Sequence, residues 1–284
     1  MELAIITAGI VAGTSMLLYI ENNWLKVSRH EYSSEKLPKA FKGTRIVHLS
    51  DLHSKSFGRD NERLIRKVKG LKPHIILFTG DLVDSRRYEE EISSKTIEEL
   101  AKIAPLYFSV GNHENRTTGY PKSLEAKLKE RGAKVLRNDG QIFLRNGTGI
   151  NIIGIDDPLK EAKSYKNSKV DEEFLKKYID KAFEKLGRNK GSFTLLLSHR
   201  PEHIKAYAEK NIDIAFSGHA HGGQIRIPFL GHGLFAPHQG SMPRFAEGKH
   251  KEGNTTLYIS RGLGNSSFPF RVFNRPEIIF IELK

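Results

Sequence analysis

Five short polar motifs along the 284-residue chain carry side chains that can bind metal ions. Each follows an apolar run, and together they contain aspartate, asparagine, glutamate and histidine: Asp51-Leu52-His53, Gly80-Asp81-Leu82-Val83-Asp84, Gly111-Asn112-His113-Glu114, Ser198-His199 and Gly218-His219-Ala220-His221-Gly222-Gly223. Carboxylate and imidazole ligands suit Mn, Fe or Zn. The chain has no cysteine, which excludes disulfides, thiolate metal sites and cysteine nucleophiles. A lone histidine usually packs in a core, whereas this ordered set predicts a metal site.

The motifs suit a site with two metal ions. Two divalent cations about 3.5–4 Å apart repel each other, so an anionic ligand must lie between them, and Asp81 is the candidate. In an extended segment, the spacing of Asp51 and His53 directs both side chains to one side. The same spacing recurs in His219 and His221.

The elements that must position these motifs are predicted from apolar periodicity. Six β-branched or aromatic runs predict buried strands at 45–50, 74–79, 106–110, 150–155, 193–198 and 212–217. Helical spacing occurs between them at 60–70, 89–103, 121–132, 171–187 and 201–210, and two further strand-like runs follow at 256–260 and 277–282. Alternating strands and helices predict an α/β domain with a largely parallel sheet arrangement. Because ligands gather beyond the carboxyl ends of such strands, the motifs should meet at one edge of the fold.

The ordered motifs DLH, GDLVD, GNHE, SH and GHAHGG resemble those of the calcineurin-like metallophosphoesterase family, from residue 45 to about residue 225. The resemblance implies a four-layer α/β/β/α sandwich with two divalent transition metal ions (Mn, Fe or Zn). The implied ligands are Asp51, His53 and His221 for the first metal, Asp81 as the bridge, and Asn112, His199 and His219 for the second. The resemblance also makes His113 the catalytic residue, which protonates the leaving oxygen or stabilises the transition state, with Asp84 or Glu114 orienting and tuning it.

The implied reaction is hydrolysis of a phosphate ester by a metal-bridging hydroxide. Protein phosphatases of the superfamily usually have Arg-Gly after the second aspartate of GDxVD. Here Ser85, Arg86 and Arg87 follow Asp84, so that phosphate clamp is displaced or absent. The segments GQIRIPFLG and SRGLG (260–264) resemble the bacterial membrane-associated branch, some members of which cleave the pyrophosphate of UDP-2,3-diacylglucosamine or act as phosphodiesterases.

We therefore expect a phosphodiester or pyrophosphate bond in a lipid-linked, nucleotide or cell-wall substrate. A nuclease, a phosphomonoesterase and a non-catalytic scaffold are the alternatives. The net charge of +13 favours a polyanionic partner such as anionic lipid or an anionic cell-wall polymer, although a solvated basic surface is an equal alternative. Nucleic acid is less expected because no basic stripe is interleaved with aromatic residues. His232 and His238 follow the last motif and are expected at the surface.

Residues 3–20 are uncharged and mostly apolar, which predicts an uncleaved, single-pass span of the cell membrane. A cleaved signal and a buried core helix are the alternatives. We expect a membrane anchor at 1–22, an irregular polar tether at 23–42 and a phosphoesterase domain at 43–284. Basic residues after the span favour a cytoplasmic domain by the positive-inside rule, but one flank leaves the side open.

Overall fold

The computed structural model describes residues 1–116, 120–158, 168–187, 192–227, 233–265 and 268–284. Its α-helices are α1 (Glu2–Asn23), α2 (Glu62–Gly70), α3 (Glu90–Ala101), α4 (Asn112–Arg116), α5 (Tyr120–Glu130), α6 (Ser168–Lys185) and α7 (Ile204–Glu209). Its strands are β1 (Lys26–Tyr32), β2 (Arg45–Leu49), β3 (Ile75–Thr79), β4 (Leu106–Ser109), β5 (Ala133–Leu136), β6 (Asp139–Arg145), β7 (Thr148–Gly154), β8 (Thr194–Leu197), β9 (Ile214–Ser217), β10 (Phe235–Ala236), β11 (Gly240–Ser241), β12 (Gly248–Glu252), β13 (Thr255–Ile259) and β14 (Glu277–Leu283). The strands and helices expected from periodicity are present, with shifts of a few residues at their ends.

Two six-stranded sheets form the centre of the domain. The first has the order β1-β14-β2-β3-β4-β5, and the second has the order β12-β13-β9-β8-β7-β6. Neighbours from β2 to β5 are parallel, as are neighbours from β13 to β7. The antiparallel pairs are β14 with β2, β12 with β13 and β6 with β7. The prediction of a largely parallel α/β arrangement is therefore confirmed.

Three hydrophobic clusters separate four layers. One packs α2, α3 and α5 against the first sheet, through residues such as Leu64, Ile97 and Leu124. The second lies between the sheets, and the third packs α6 and α7 against the second sheet. Strands covered on both faces read as continuous apolar runs, which explains the sequence of β3. The α/β/β/α sandwich is confirmed.

The segment from 23 to 42 is not wholly an irregular tether. Residues Lys26–Tyr32 form β1, an edge strand that pairs in parallel with β14 and aligns Val27 with Ile278. The sequence did not predict β1 because its residues are mostly polar. An edge strand needs few buried side chains when a distant strand accepts its hydrogen bonds. The expectation of irregular structure was therefore wrong for β1.

Helix α1 projects from the domain. Residues 1–17 are exposed, whereas Glu21 in the last turn is buried. Among the described residues, α1 alone is long and apolar enough to cross a membrane, and none of its apolar window is buried. This exposure excludes the alternative of a buried core helix.

Candidate metal centre

The polar motifs meet beyond the carboxyl ends of β2, β3, β4, β8 and β9, at one edge of the two sheets. All seven expected ligands are buried, and their donor atoms form two groups. Ligand atoms of Asp51, His53 and His221 lie within 4.8 Å of one another, and so do those of Asp81, His199 and His219. The Asn112 Oδ1 atom lies 3.1 Å from the His199 Nε2 atom, which adds it to the second group. The two groups bring together the residues that the family resemblance implies as ligands, and their metal binding stays a prediction.

The backbone conformation that brings these side chains together differs from the expected one. Five of the seven residues have a positive φ angle, between 49° and 68°: Asp51, His53, Asp81, His219 and His221. The expectation that extended backbone directs Asp51 and His53 to one side is therefore wrong. Left-handed backbone at residues other than glycine costs free energy and concentrates at functional sites. The fold holds five strained residues here, which favours a functional role for the cluster.

Asp81 lies between the two groups. Its Oδ1 atom accepts a hydrogen bond of 2.8 Å from the His113 backbone N–H. Its Oδ2 atom lies 3.2 Å from the His199 Nε2 atom and 3.7 Å from the His53 Nε2 atom. One carboxylate oxygen thus faces histidines of both groups, as a bridging ligand must.

The electrostatics of the cluster fit two cations. The His53 and His221 Nε2 atoms lie only 3.1 Å apart, and the buried His53 Nδ1 atom has no hydrogen-bond partner. Burial lowers the pKa of His53 to about 3 and also lowers the pKa of His221, so both rings are neutral and keep lone pairs for a metal. Burial and Asp81 raise the pKa of Asp51 to about 6, because both disfavour a negative charge on its carboxyl group. Burial opposes a charge on His199, but Asp81 and Asp51 outweigh it and raise its pKa to about 10.

Glycine is required beside the cluster at position 218. The residue follows β9, and a Cβ atom placed there would lie 2.1 Å from the Asp51 Oδ2 atom and 2.0 Å from the Ser50 Oγ atom. The adjacent His219 backbone N–H donates to both Asp51 carboxylate oxygens at 3.1 Å. The absence of a side chain at Gly218 therefore lets the second sheet approach Asp51 in the first.

His113 stands beside the cluster with its ring centroid 4.5 Å from that of His53. The His113 Nδ1 atom accepts a hydrogen bond of 3.1 Å from the Ser85 backbone N–H and lies 3.4 Å from the Asp84 Oδ1 atom. Burial opposes a charge on His113, but Asp81 and Asp84 outweigh it and raise its pKa. Because Nδ1 accepts this hydrogen bond, the proton of a neutral His113 ring lies on Nε2.

Asp84 and Glu114, the two candidates for orienting His113, have different environments. Glu114 is fully buried and accepts hydrogen bonds from backbone N–H groups: Gly111 at 2.7 Å and Asp81 at 2.8 Å on Oε2, and Leu82 at 2.7 Å on Oε1. It thereby joins the loop after β3 to the loop after β4. Asp84 is the carboxylate that lies against the His113 ring, whereas Glu114 raises the pKa of the ring through its charge.

The side chain of Arg86 forms hydrogen bonds with Asp84. Its Nε and Nη2 atoms donate to the two carboxylate oxygens of Asp84 at 3.0 Å, and its backbone N–H donates to Oδ1 at 2.9 Å. The guanidinium therefore binds Asp84 in the structure, which agrees with the expected loss of the phosphate clamp of protein phosphatases.

Two further residues contact the cluster from the C-terminal loops. The His238 Nδ1 atom lies 2.9 Å from the His219 Nε2 atom, and the two rings are stacked. Arg271 is buried with its Nη2 atom 3.5 Å from the His221 Nδ1 atom. Sequence reasoning expected His238 at the surface; it is exposed, but it also touches a predicted ligand. No sequence motif marked either contact. His232 lies outside the described residues.

Comparison with known proteins agrees with this geometry. The family model described as calcineurin-like phosphoesterase matches residues 44–223. The chain is 29% identical to the uncharacterized metallophosphoesterase YkuE of Bacillus subtilis, over 98% of this chain and 92% of that protein. It is 28% identical to the phosphodiesterase YaeI of Escherichia coli, over 96% of this chain and 93% of that protein. A transmembrane protein with metallophosphoesterase domain from Danio rerio is 29% identical over 91% of this chain and 57% of its own length.

Proposed function

The chain belongs to the calcineurin-like phosphoesterase family and is a phosphoester hydrolase, and from that premise we propose that it cleaves phosphodiester or pyrophosphate bonds with two divalent transition metal ions. The observation that carries the proposal is the position of the Asp81 Oδ2 atom between His199 and His53. That position suits an anion shared by two cations.

Three residues and Asp81 would hold each metal: Asp51, His53 and His221 the first, and Asn112, His199 and His219 the second. Bound there, two cations lower the pKa of a coordinated water and offset negative charge on the phosphoryl oxygens. The metal pair would be drawn from Mn, Fe and Zn because the donors are carboxylate, amide and imidazole groups.

His113 would supply the proton that the leaving oxygen needs. Its raised pKa keeps the ring protonated to higher pH than an ordinary histidine. In the protonated ring the Nδ1–H faces Asp84, which leaves Nε2 to donate to the leaving oxygen. A general acid positioned in this way contributes about 10²–10⁴-fold to the rate. Asp84 would hold the ring in place, while Glu114 would hold the backbone that carries Asp81 and His113.

The bond type is proposed from what surrounds the cluster. Arg86 is bound to Asp84, which argues against the phosphate clamp of a phosphoprotein phosphatase. The relative YaeI is named as a phosphodiesterase, and α1 would keep the domain at a membrane. We therefore propose a lipid-linked, nucleotide or cell-wall substrate, with nuclease or phosphomonoesterase activity as the alternatives.

The test is an assay of the full-length chain after metal reconstitution. Hydrolysis would be measured on bis-p-nitrophenyl phosphate, p-nitrophenyl phosphate, UDP-linked lipids and single- and double-stranded DNA, with His113→Asn as the control for contaminating activity. We expect the diester or the UDP-linked lipid to be preferred. A preference for the monoester would refute the diesterase proposal, and a preference for DNA would favour the nuclease.

A further inference from the structure

Two loops near the metal centre, one between β9 and β12 and one between β13 and β14, carry most of the exposed apolar side chains that the structure describes outside α1. Beyond residue 23, eleven large apolar residues of the described chain are exposed, and seven of them lie in these loops. We call these seven the apolar rim: Ile227, Leu234, Phe235, Met242, Phe268, Phe270 and Phe273. Exposed apolar residues scattered singly are ordinary, but a concentrated set marks a surface that contacts a partner or a membrane.

The two loops are joined to each other and to a predicted metal ligand. Ile225 forms a β-bridge with Val272, and the Arg226 backbone N–H donates to the Val272 carbonyl at 3.0 Å. The Asn274 Nδ2 atom donates to the backbone carbonyl of His221 at 2.7 Å. The two loops that carry the apolar rim therefore border the metal centre on the side of His221.

The end of α1 is attached to the same loops. Glu21 accepts a hydrogen bond of 2.7 Å from the Asn274 backbone N–H, and the Asn22 Oδ1 atom accepts one of 3.1 Å from the Arg271 backbone N–H. Asn274 thus contacts both α1 and His221. This one residue therefore connects a candidate membrane helix to a predicted metal ligand.

One residue of the rim, Phe270, lies beside the last turns of α1. A cavity of about 530 Å³ is lined by Leu18 and Tyr19 of α1 on one side and by Pro269 and Phe270 of the rim loop on the other. Leu18 precedes the end of α1 by five residues, which is about 8 Å along a helix. If α1 spans a bilayer, Phe270 lies near the boundary between headgroups and acyl chains.

Basic residues surround the end of α1 where headgroups would be. A second cavity, of about 360 Å³, is lined by Trp24, Arg63, Arg66 and Lys67 together with Asn23 and Leu25. Indole rings prefer the membrane interface, and Lys and Arg side chains near it attract anionic lipids. The net charge of +13 also favours contact with anionic lipids.

We propose that the apolar rim and the end of α1 are seated together in the surface of an anionic bilayer leaflet. The metal centre then opens at headgroup level, and the substrate is an amphiphile that presents its phosphoester there. The substrate part of this inference rests on the proposed hydrolysis, whereas the seating of the rim stands without it.

The seating is tested without catalysis, using the full-length chain in vesicles of phosphatidylcholine and phosphatidylglycerol. The vesicles carry a lipid with a nitroxide quencher near the top of its acyl chain. In a Trp24→Phe background, Phe270→Trp reports on the rim, and Leu144→Trp on the edge strand β6 is the matched control, since Leu144 is also exposed. We expect Phe270→Trp to be quenched as strongly as Trp24 is in the native chain, and Leu144→Trp to be unquenched. Equal quenching of the two reporters, strong or weak, would overturn the proposal.

A second measurement separates the rim from the catalytic proposal. The triple variant Phe268→Ser, Phe270→Ser, Phe273→Ser is compared with Ile142→Ser, Leu144→Ser on β6. We expect the triple variant to lose turnover of a UDP-linked lipid embedded in vesicles relative to turnover of soluble bis-p-nitrophenyl phosphate, and the β6 variant to keep that ratio. An unchanged ratio in the triple variant would overturn the proposed substrate class. Absence of turnover on every diester would instead refute the proposed function and leave the quenching result standing.

Discussion

Replacing Glu114 by glutamine tests whether backbone clamping builds the metal centre. The carboxylate accepts N–H groups on both oxygens, two on Oε2 and the Leu82 N–H on Oε1. Glutamine can keep its carbonyl toward the first pair, but its amide then turns a donor toward Leu82. A hydrogen bond to a charged acceptor contributes about 1.5–3 kcal/mol, so we expect Glu114→Gln to lose about 2–3 kcal/mol of stability.

The measurement is the thermal midpoint of the full-length chain in mild detergent, after metal reconstitution. In the metal-free chain, burial and Asp81 raise the pKa of Glu114 to about 7, so its charge would cost stability above that pH. Bound cations offset the charge of Asp81, and the scan is therefore run at pH 8 with the metal ions kept in place. For a domain of this size, a loss of about 2–3 kcal/mol corresponds to a fall in the midpoint of roughly 5–10 °C.

The matched control is Glu130→Gln, an exposed glutamate at the end of α5. Exposed substitutions usually change stability by less than about 0.5 kcal/mol, so the control should keep nearly the wild-type midpoint. If the thermal midpoint of Glu114→Gln equalled that of Glu130→Gln, the hydrogen bonds that Glu114 accepts would contribute little to stability. The expected loss would then be refuted.

Three other substitutions test individual roles. His113→Asn should lower kcat on bis-p-nitrophenyl phosphate by about 10²–10⁴-fold while metal content stays constant, and near-wild-type kcat would exclude the acid role. Asp84→Asn should lower the pKa of His113, because it removes a charge that favours protonation. The protonated form is then lost at lower pH, so the alkaline limb of the kcat–pH profile should move down; an unmoved limb would contradict this. His238→Phe removes the ring nitrogen that contacts His219 and should weaken metal binding by about 10–100-fold in a chelator competition, whereas His250→Phe on β12 should not.

The fold and most of the candidate metal centre could be predicted because they depend on local patterns. Buried strands such as β3 read as apolar runs, and a polar motif directly after a strand must lie at the carboxyl edge of the sheet. Asp81 and His199 were therefore placed correctly relative to each other, although 117 residues separate them in the chain.

Other features depend on contacts that no local pattern records. Strand β1 has a polar sequence, and its partner β14 begins about 250 residues later. The contact of His238 with His219 arises from a loop that returns over the site, and the role of Glu114 depends on backbone N–H groups at the ends of two strands. The left-handed backbone of Asp51 was missed because aspartate favours it only where tertiary contacts offset the strain.

We propose that this edge of the fold holds two divalent transition metal ions through a shared Asp81. The direct measurement is elemental analysis of the purified full-length chain after metal reconstitution, beside Asp81→Ala and the control Asp180→Ala, an exposed residue of α6. We expect about two ions per chain in the wild type and in Asp180→Ala, and loss of bound metal in Asp81→Ala. Wild-type protein without transition metal, or Asp81→Ala with full metal content, would contradict it.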